Sequence, residues 1–537
     1  MHDFKMSVGA VLLSVVVFLL LVVVTRLFRR PSNVPPGPKG LPLIGNGLIM
    51  KRDDLHMVDE ESTSTEGGTN LGDSEDQSID EGEVSKESVP DEENTDFEVP
   101  KILTEYSKTY GGIFSLMVGP KLLVVLSSFE AAKEALIDNG AAFSDRLALP
   151  LVTYLLGIDG SLVLGNGPKW KALRKFVFSS FRDFGVGKRS LEERINEEST
   201  HVIGILDETN GKPLDLHHTV NNAVSNITFS LCFGERFDYS DERFKTFLGK
   251  IDTNMSYVSR TDILQILPFL TEMPVYRFAK DNFQSLIDFI KSLAKEHENS
   301  LNSDDVRDIL DKYLLEIKRQ EDSGEEIRFK KADEWRLVFE LFLAGTDTTT
   351  STLLFFILFV THHQGIQQKI FDEIMEVVGD ARRPQLTDKP NMPYTEATIL
   401  EILRLRPVVP LGVPRMVDKD TKIAGYIVPE GTTVFFNAFA INRDPQLWDK
   451  PHIFDPTRFL SSDGKKVIKS DTLLTFGAGR RICVGETLAR MELFFFVTNI
   501  FQRFHFRFPE DETTPALEGI FGLTMRPAPF KICAERR

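Results

Sequence analysis

The hydrophobic pattern along this chain is helical for most of its length. Apolar residues recur every three to four positions over 303–320, 332–363, 365–378 and 484–503, the spacing that lines one face of an α-helix. Between Leu337 and Val360 the second run is apolar on nearly every side, as expected of a helix through the centre of a core. Shorter aliphatic and β-branched runs read as strands: Ile113–Val118, Leu122–Ser127, Ile423–Ile427, Thr432–Phe436, and a C-terminal stretch ending at Phe530–Ala534. There is no internal repeat and no strand–helix alternation. The pattern therefore predicts a mainly α body with small β-sheets, not a doubly wound sheet.

The first 100 residues depart from this pattern. Ser7 to Thr25 is a run of 19 residues without charge. As a helix it covers ~28 Å, about the hydrocarbon thickness of a bilayer. No small-residue cleavage site follows, but Arg26, Arg29 and Arg30 do, so the run reads as a signal anchor with the rest of the chain in the cytosol. The sequon at Asn226 is then unused. Pro31, Pro35-Pro36-Gly37-Pro38 and Pro42 lack backbone donors and predict a stiff, non-helical hinge. Asp53 to Glu98 holds 18 acidic residues and one basic one, Lys86, and cannot bury enough apolar surface to offset its ordering entropy. The chain divides into an anchor with basic flank (1–30), a Pro-rich hinge leading into the body (31–52), a disordered acidic insertion (53–99) and one large domain (100–537).

Composition narrows the function. Net charge is −16, but removing Asp53–Glu98 leaves 62 basic and 61 acidic residues, so the acidity belongs to the insertion. Neither balance suits a nucleic acid partner. Three cysteines exclude a disulfide scaffold and a four-cysteine zinc site. With 42 Phe against 9 Tyr and 3 Trp, the interior is strongly apolar and suits an apolar ligand. His217-His218 and His362-His363 are not metal pairs, because adjacent helical residues diverge by ~100°.

Three motifs carry chemistry. Cys483 ends the loop Phe476-Gly477-Ala478-Gly479-Arg480-Arg481-Ile482, with Gly485 and a helical run following. The glycines allow a tight loop against a flat ligand, and the helix N-terminus with Arg480 and Arg481 is expected to lower the thiol pKa. Ala344-Gly345-Thr346-Asp347-Thr348-Thr349 places a carboxylate inside the most apolar run, or else marks a helix start. Glu401 and Arg404 form an i, i+3 pair; Glu316 and Arg319 share its spacing, and most such pairs are solvated.

Together these motifs resemble the cytochromes P-450. Phe476, Gly479, Arg481, Cys483 and Gly485 fit the family's haem-binding loop, which implies Cys483 as axial ligand to the iron of haem b. The resemblance implies that the 344–349 segment lies over the haem where the helix is distorted, with Asp347 and Thr348 relaying protons during dioxygen reduction. It further implies a Glu401–Arg404–Arg458 triad supporting the thiolate loop, and haem-propionate contacts from Trp170, Arg174 and Arg415. Thr457 stands where the family often has an acid. Met392–Ala397, Asn442–Pro445 and Met491–Phe494 are similar to animal microsomal family 2 enzymes, and Phe521–Thr524 to the U subfamily.

The resemblance implies a mainly α, single haem-thiolate domain acting as an NADPH- and O2-dependent monooxygenase at the endoplasmic reticulum membrane. Electrons come from NADPH-cytochrome P-450 reductase, with cytochrome b5 as a second donor; Arg480, Arg481, Lys171 and Lys175 form the docking face. The pocket draws on Phe342, Ala344, Val408, Val409, Leu411, Val413 and Leu523. The U-type tail points to a long-chain fatty acid, while a steroid or xenobiotic satisfies the same apolar walls. A haem-thiolate peroxide isomerase or dehydratase would not need the Asp347-Thr348 pair, and a haem sensor would need neither relay nor reductase.

Overall fold

The computed structural model describes residues 30–31, 33–38, 99–147, 153, 157, 160–260, 277–324, 326, 328–522 and 524–537. The expected anchor, the acidic insertion and Leu523 lie outside them. The longer helices are α1 (Val99–Tyr110), α2 (Gly167–Asp183), α3 (Arg189–Thr209), α4 (His217–Phe233), α5 (Glu242–Arg260) and α6 (Arg277–Asn299). They continue with α7 (Ile309–Ser323), α8 (Glu334–His362), α9 (Gln364–Val377), α10 (Pro393–Leu405) and α11 (Glu486–Phe501).

Helix α8 organises the core. It packs against α4, α6, α10 and α11, and its apolar surface is buried on all sides, as its unbroken hydrophobic run requires. It is long and apolar enough to span a bilayer, but its burial makes it a core helix. The abundant phenylalanine gathers beside it: the Phe229 ring lies 4.8 Å from Phe342, 4.9 Å from Phe237 and 5.6 Å from Phe247, mostly edge to face. Helix α7 begins at Ile309, later than the periodicity of 303–320 suggests. The Asp308 carboxylate accepts the Asp311 amide at 2.9 Å and caps the helix there.

The strands are short. They are β1 (Ile113–Val118), β2 (Lys121–Leu126), β3 (Arg415–Met416), β4 (Thr421–Ile423), β5 (Tyr426–Val428), β6 (Thr433–Phe436), β7 (Phe504–Arg507), β8 (Gly519–Phe521), β9 (Met525–Pro527) and β10 (Cys533–Arg536). One sheet runs β1-β2-β6-β3, with β2 and β6 parallel, and three two-stranded ladders pair β4 with β5, β7 with β10 and β8 with β9. The single strand expected over Ile423–Ile427 is instead the turn of the β4–β5 hairpin. Ala424 and Gly425 both take positive φ there, 48° and 88°, which reverses the chain. The C-terminal strand starts at Cys533, later than its apolar run.

Residues 33–38 of the Pro-rich segment are non-helical, as their composition requires, but they are not a free hinge. Ser115 on β1 donates its amide to the Pro36 carbonyl at 2.7 Å and its hydroxyl to the Pro35 carbonyl at 2.6 Å. Arg30 reaches back to the carbonyls of Gly37 (2.7 Å) and Ser115 (3.1 Å). Residues 33–38 therefore belong to the body.

Candidate active site

The Cys483 loop is shaped by its glycines. Gly477 and Gly479 adopt φ of +73° and +68°, and a Cβ on Gly479 would fall 1.8 Å from the Leu136 carbonyl oxygen. The Cys483 amide donates to the Phe476 carbonyl at 2.9 Å and closes the loop, and α11 starts three residues later. Cys483 is accessible yet ringed by protein, whereas Cys232 and Cys533 are buried. The expected lowering of its pKa is corrected here. Burial raises it, and the Gly485 amide, Arg174 and the Glu486 amide only partly offset that. Neither Arg480 nor Arg481 acts on the sulfur; the second is turned elsewhere. Metal coordination would deprotonate the thiol outright.

Arg481 belongs to a buried cationic cluster. Its Nε donates to the Ser144 carbonyl at 2.7 Å and its Nη2 to the Gly165 carbonyl at 2.6 Å, with its Cζ 3.4 Å from the centre of the Trp170 ring. Arg415 donates to the carbonyls of Phe143 and Ala478, and Arg146 to those of Val413 and Pro414. Burial pushes the guanidinium of Arg481 down to about 9 and that of Arg415 to about 10, and Arg146 also falls, with repulsion from Arg174 adding to each drop and from Arg415 to those of Arg481 and Arg146. Among the described residues none of the three forms an ion pair. Arg146 Nε, Trp170 Nε1, Arg415 Nε and Arg481 Nη1 are buried without a hydrogen-bond partner. Three orphaned donors on buried cations and a fourth on an indole, next to the cysteine loop, are what a dianionic, carboxylate-bearing macrocycle such as haem requires. Arg174 borders this cluster: it donates to the Ile482 carbonyl and lies over the rings of Phe178 at 4.9 Å and Trp170 at 5.9 Å. Arg146 was not legible as a partner, because only the tertiary fold brings it to Arg415.

Helix α8 runs without interruption from Glu334 to His362, so the 344–349 segment is not a helix start and no break in the helix falls there. Thr348 instead donates its hydroxyl to the Ala344 carbonyl one turn back, at 2.7 Å. Ala344, Asp347 and Thr348 share one face, and Ala344 is exposed midway along an otherwise buried helix. Thr346, Thr349 and Thr350 turn inward and are buried. Thr346 lies 3.4 Å from the Ser225 hydroxyl and Thr350 3.4 Å from Asn221. Thr349 is hydrogen-bonded to Glu492 of α11, whose fully enclosed carboxyl is pushed up to about 8 by burial. Two residues that the motif did not reveal reach this segment: Glu492, and Thr524, whose hydroxyl donates to Asp347.

Behind the loop stands the Glu401 network. Arg404 binds both Glu401 oxygens at 2.7 Å, and Arg458 donates to Glu401 Oε1 at 3.0 Å. Glu401 and Arg404 are fully buried, while Glu316 and Arg319, with the same spacing, are partly exposed. Asn442 donates to the Arg404 carbonyl at 3.1 Å, and Thr475 donates its hydroxyl to the Leu403 carbonyl at 2.7 Å. Thr475 precedes Phe476, so α10 holds the base of the thiolate loop.

Of the expected pocket residues, Phe342 is sandwiched between Phe229 and Phe247. Val408 and Leu411 are buried, and Val409 and Val413 half-buried. Among the His pairs, His362 contacts the Pro515 carbonyl and His363 the Phe359 carbonyl through ring nitrogens.

The model for cytochrome P450 matches residues 94–534. The chain is 37% identical to human cytochrome P450 2U1 over 95% of its own length and 90% of the relative. It is 34% identical to human cytochrome P450 2J2, covering 94% and 92%, and 34% identical to chicken cytochrome P450 2H1, covering 98% of each. A match of this extent, on a fold that sets a cysteine loop beside a buried arginine cluster, means that the chain belongs to the cytochrome P450 family of haem-dependent monooxygenases.

Proposed function

We propose that this monooxygenase hydroxylates a long-chain fatty acid at the cytosolic face of the endoplasmic reticulum, with electrons delivered from NADPH by a membrane-bound reductase. The observation that carries the reading is the shared face of Ala344, Asp347 and Thr348 on a helix otherwise sealed in apolar packing. Similarity to cytochromes P450 2U1 and 2J2, with a pocket segment of Val408, Val409, Leu411 and Val413, supports a lipophilic substrate.

In this reading haem, when bound, supplies electron acceptance and dioxygen activation. Cys483 Sγ would ligate its iron, and Arg146, Trp170, Arg415 and Arg481 would hold its carboxylates through their orphaned donors. The Asp347 carboxyl moves a proton towards Thr348 Oγ1, whose own hydrogen is held on the Ala344 carbonyl, so the oxygen is free to accept. The Glu401–Arg404–Arg458 network fixes the loop and takes no part in proton movement.

The test follows NADPH, hydrogen peroxide and hydroxylated palmitate in one reaction. Thr348→Ala should keep consuming NADPH while product per NADPH falls about tenfold and peroxide rises, since positioned proton transfer contributes ~10²–10⁴. Unchanged coupling would remove the relay. Product made from a lipid peroxide without NADPH would move the protein to the isomerase class.

A further inference from the structure

We infer that Thr524 is a positioning residue for Asp347, so that the C-terminal hairpin walling the pocket also sets the geometry of the proton relay. The inference rests on the monooxygenase reading above. Thr524 lies 177 residues from Asp347 in sequence, yet its Oγ1 donates to Asp347 Oδ2 at 2.5 Å. It stands in the turn between β8 and β9, where the Gly522 amide donates to the Thr524 carbonyl at 3.0 Å and Phe521 pairs with Met525.

The turn is fixed from outside as well. The Met525 amide donates to the Val408 carbonyl at 2.8 Å, which binds the hairpin to the segment carrying Val408–Val413. Strand β9 packs on α8. The approach is close: a Cβ on Gly519 would meet Met525 Cγ at 2.6 Å and Phe355 of α8 at 2.9 Å. Thr524 is therefore presented to Asp347 from between two anchored residues, Gly522 and Met525.

The chemical consequence concerns the carboxylate's orientation. Asp347 is half-buried, and an Asp side chain on a helix surface can rotate between rotamers at little cost. A donor fixed on Oδ2 selects one of them and leaves Oδ1 in a defined direction. A charge-assisted hydrogen bond of this kind is among the stronger ones. Thr524 itself exchanges no proton in the reaction. Because Phe521, two residues past Gly519, is half-buried against the Leu411 cluster, the same hairpin meets the apolar pocket segment on one side and the relay on the other.

The test uses the full-length holoenzyme with Thr524→Val, Thr524→Ser and Asp347→Ala. The first measurement needs no turnover: a double-mutant cycle on the thermal unfolding midpoint. Thr524→Val should lower the midpoint in the parent and leave it unmoved in the Asp347→Ala background. Equal drops in both backgrounds would overturn the contact. The second measures product per NADPH with palmitate and the solvent isotope effect on NADPH consumption. Thr524→Val should lower coupling about threefold and raise the isotope effect, Thr524→Ser should restore both, and palmitate affinity from the difference spectrum should stay unchanged. A loss of affinity with intact coupling would make Thr524 a pocket wall only. If Asp347→Ala itself leaves coupling untouched, the relay reading fails, while the thermal cycle still judges the contact.

Discussion

Arg481 lies flat against the indole of Trp170, its Cζ 3.4 Å from the ring centre, and each side chain buries a nitrogen that no described residue satisfies. The stack explains why a Trp and an Arg distant in sequence serve one purpose. The cation stacked on the ring face restrains both planes, and an unpaired donor lies on each side chain.

Trp170→Phe should keep the stacking surface and remove only the Nε1–H donor. Haem loss to an apo-globin acceptor should then accelerate about 10- to 100-fold, matching the ~1.5–3 kcal/mol of a hydrogen bond to a charged group. An unchanged rate would mean that the indole nitrogen does not meet the haem carboxylates.

The Glu401 network should behave as a buried ion pair that cannot lose one member. Glu401→Gln leaves Arg404 fully buried with a weakened partner, and breaking such a pair costs about 3–5 kcal/mol. The expected outcome is loss of the thiolate-type carbon monoxide spectrum, measured with haem content on the purified protein. Glu316→Gln, at the exposed pair of identical spacing, should change the unfolding free energy by at most ~0.5 kcal/mol. Similar losses from both would show that burial does not separate the two pairs.

Glu492 gives the protein a pH dependence of definite sign. Burial pushes its carboxyl up to about 8 from an ordinary 4.5, so the folded protein keeps a proton that the unfolded chain has released. Between those values unfolding releases that proton, and stability falls as pH rises, levelling off above the folded pKa. Glu492→Gln cannot ionise and should show a shallower fall. Its unfolding midpoint should match the parent near pH 5 and exceed it at pH 8. Parallel curves for the two proteins would exclude Glu492 as the source. Glu340, raised to about 7 by burial, acts in the same direction in both proteins and cancels in the difference.

Deleting Asp53–Glu98 removes 18 acidic residues and one basic one, shifting the net charge from −16 to +1. Haem content and the unfolding midpoint should stay within error of the parent. At low salt, reduction by the reductase should be faster, because an acidic segment competes with an acidic partner for a basic face. A deletion protein that fails to incorporate haem would show that the segment is needed by the body.

The parts of the site that are legible in sequence are those built within a few residues. The Cys483 loop needs its glycines locally, and the Ala344–Thr349 segment announces itself as a carboxylate in an apolar run. Glu401 and Arg404 were separable from Glu316 and Arg319 only through the resemblance, and burial supplies the physical reason. The misreadings come from effects that sequence spacing cannot weigh. For Cys483, neighbouring arginines suggested a lowered pKa, but enclosure of the sulfur outweighs the charges, and Arg481 turns its Nε and Nη2 to backbone carbonyls. At 423–427 the aliphatic run concealed a turn, since Ala424 adopts a left-handed conformation that its residue type does not advertise. Arg146, Glu492 and Thr524 reach the site only through long-range packing.

The mooring of residues 33–38 on β1 has a consequence for construction. Pro38 and Val99 bracket a passage of 60 residues, and both ends are secured to the same strand. The Pro35 and Pro36 carbonyls accept from Ser115, and Leu103 of α1 packs with Phe114 and Leu116. Closing a chain passage between two fixed ends costs free energy only as the logarithm of its length, so doubling it adds ~0.6 kcal/mol. The gap between Pro38 and Val99 is thus a splice site with two fixed terminals. A reporter or an affinity module inserted there would leave the catalytic body with the same ends to join.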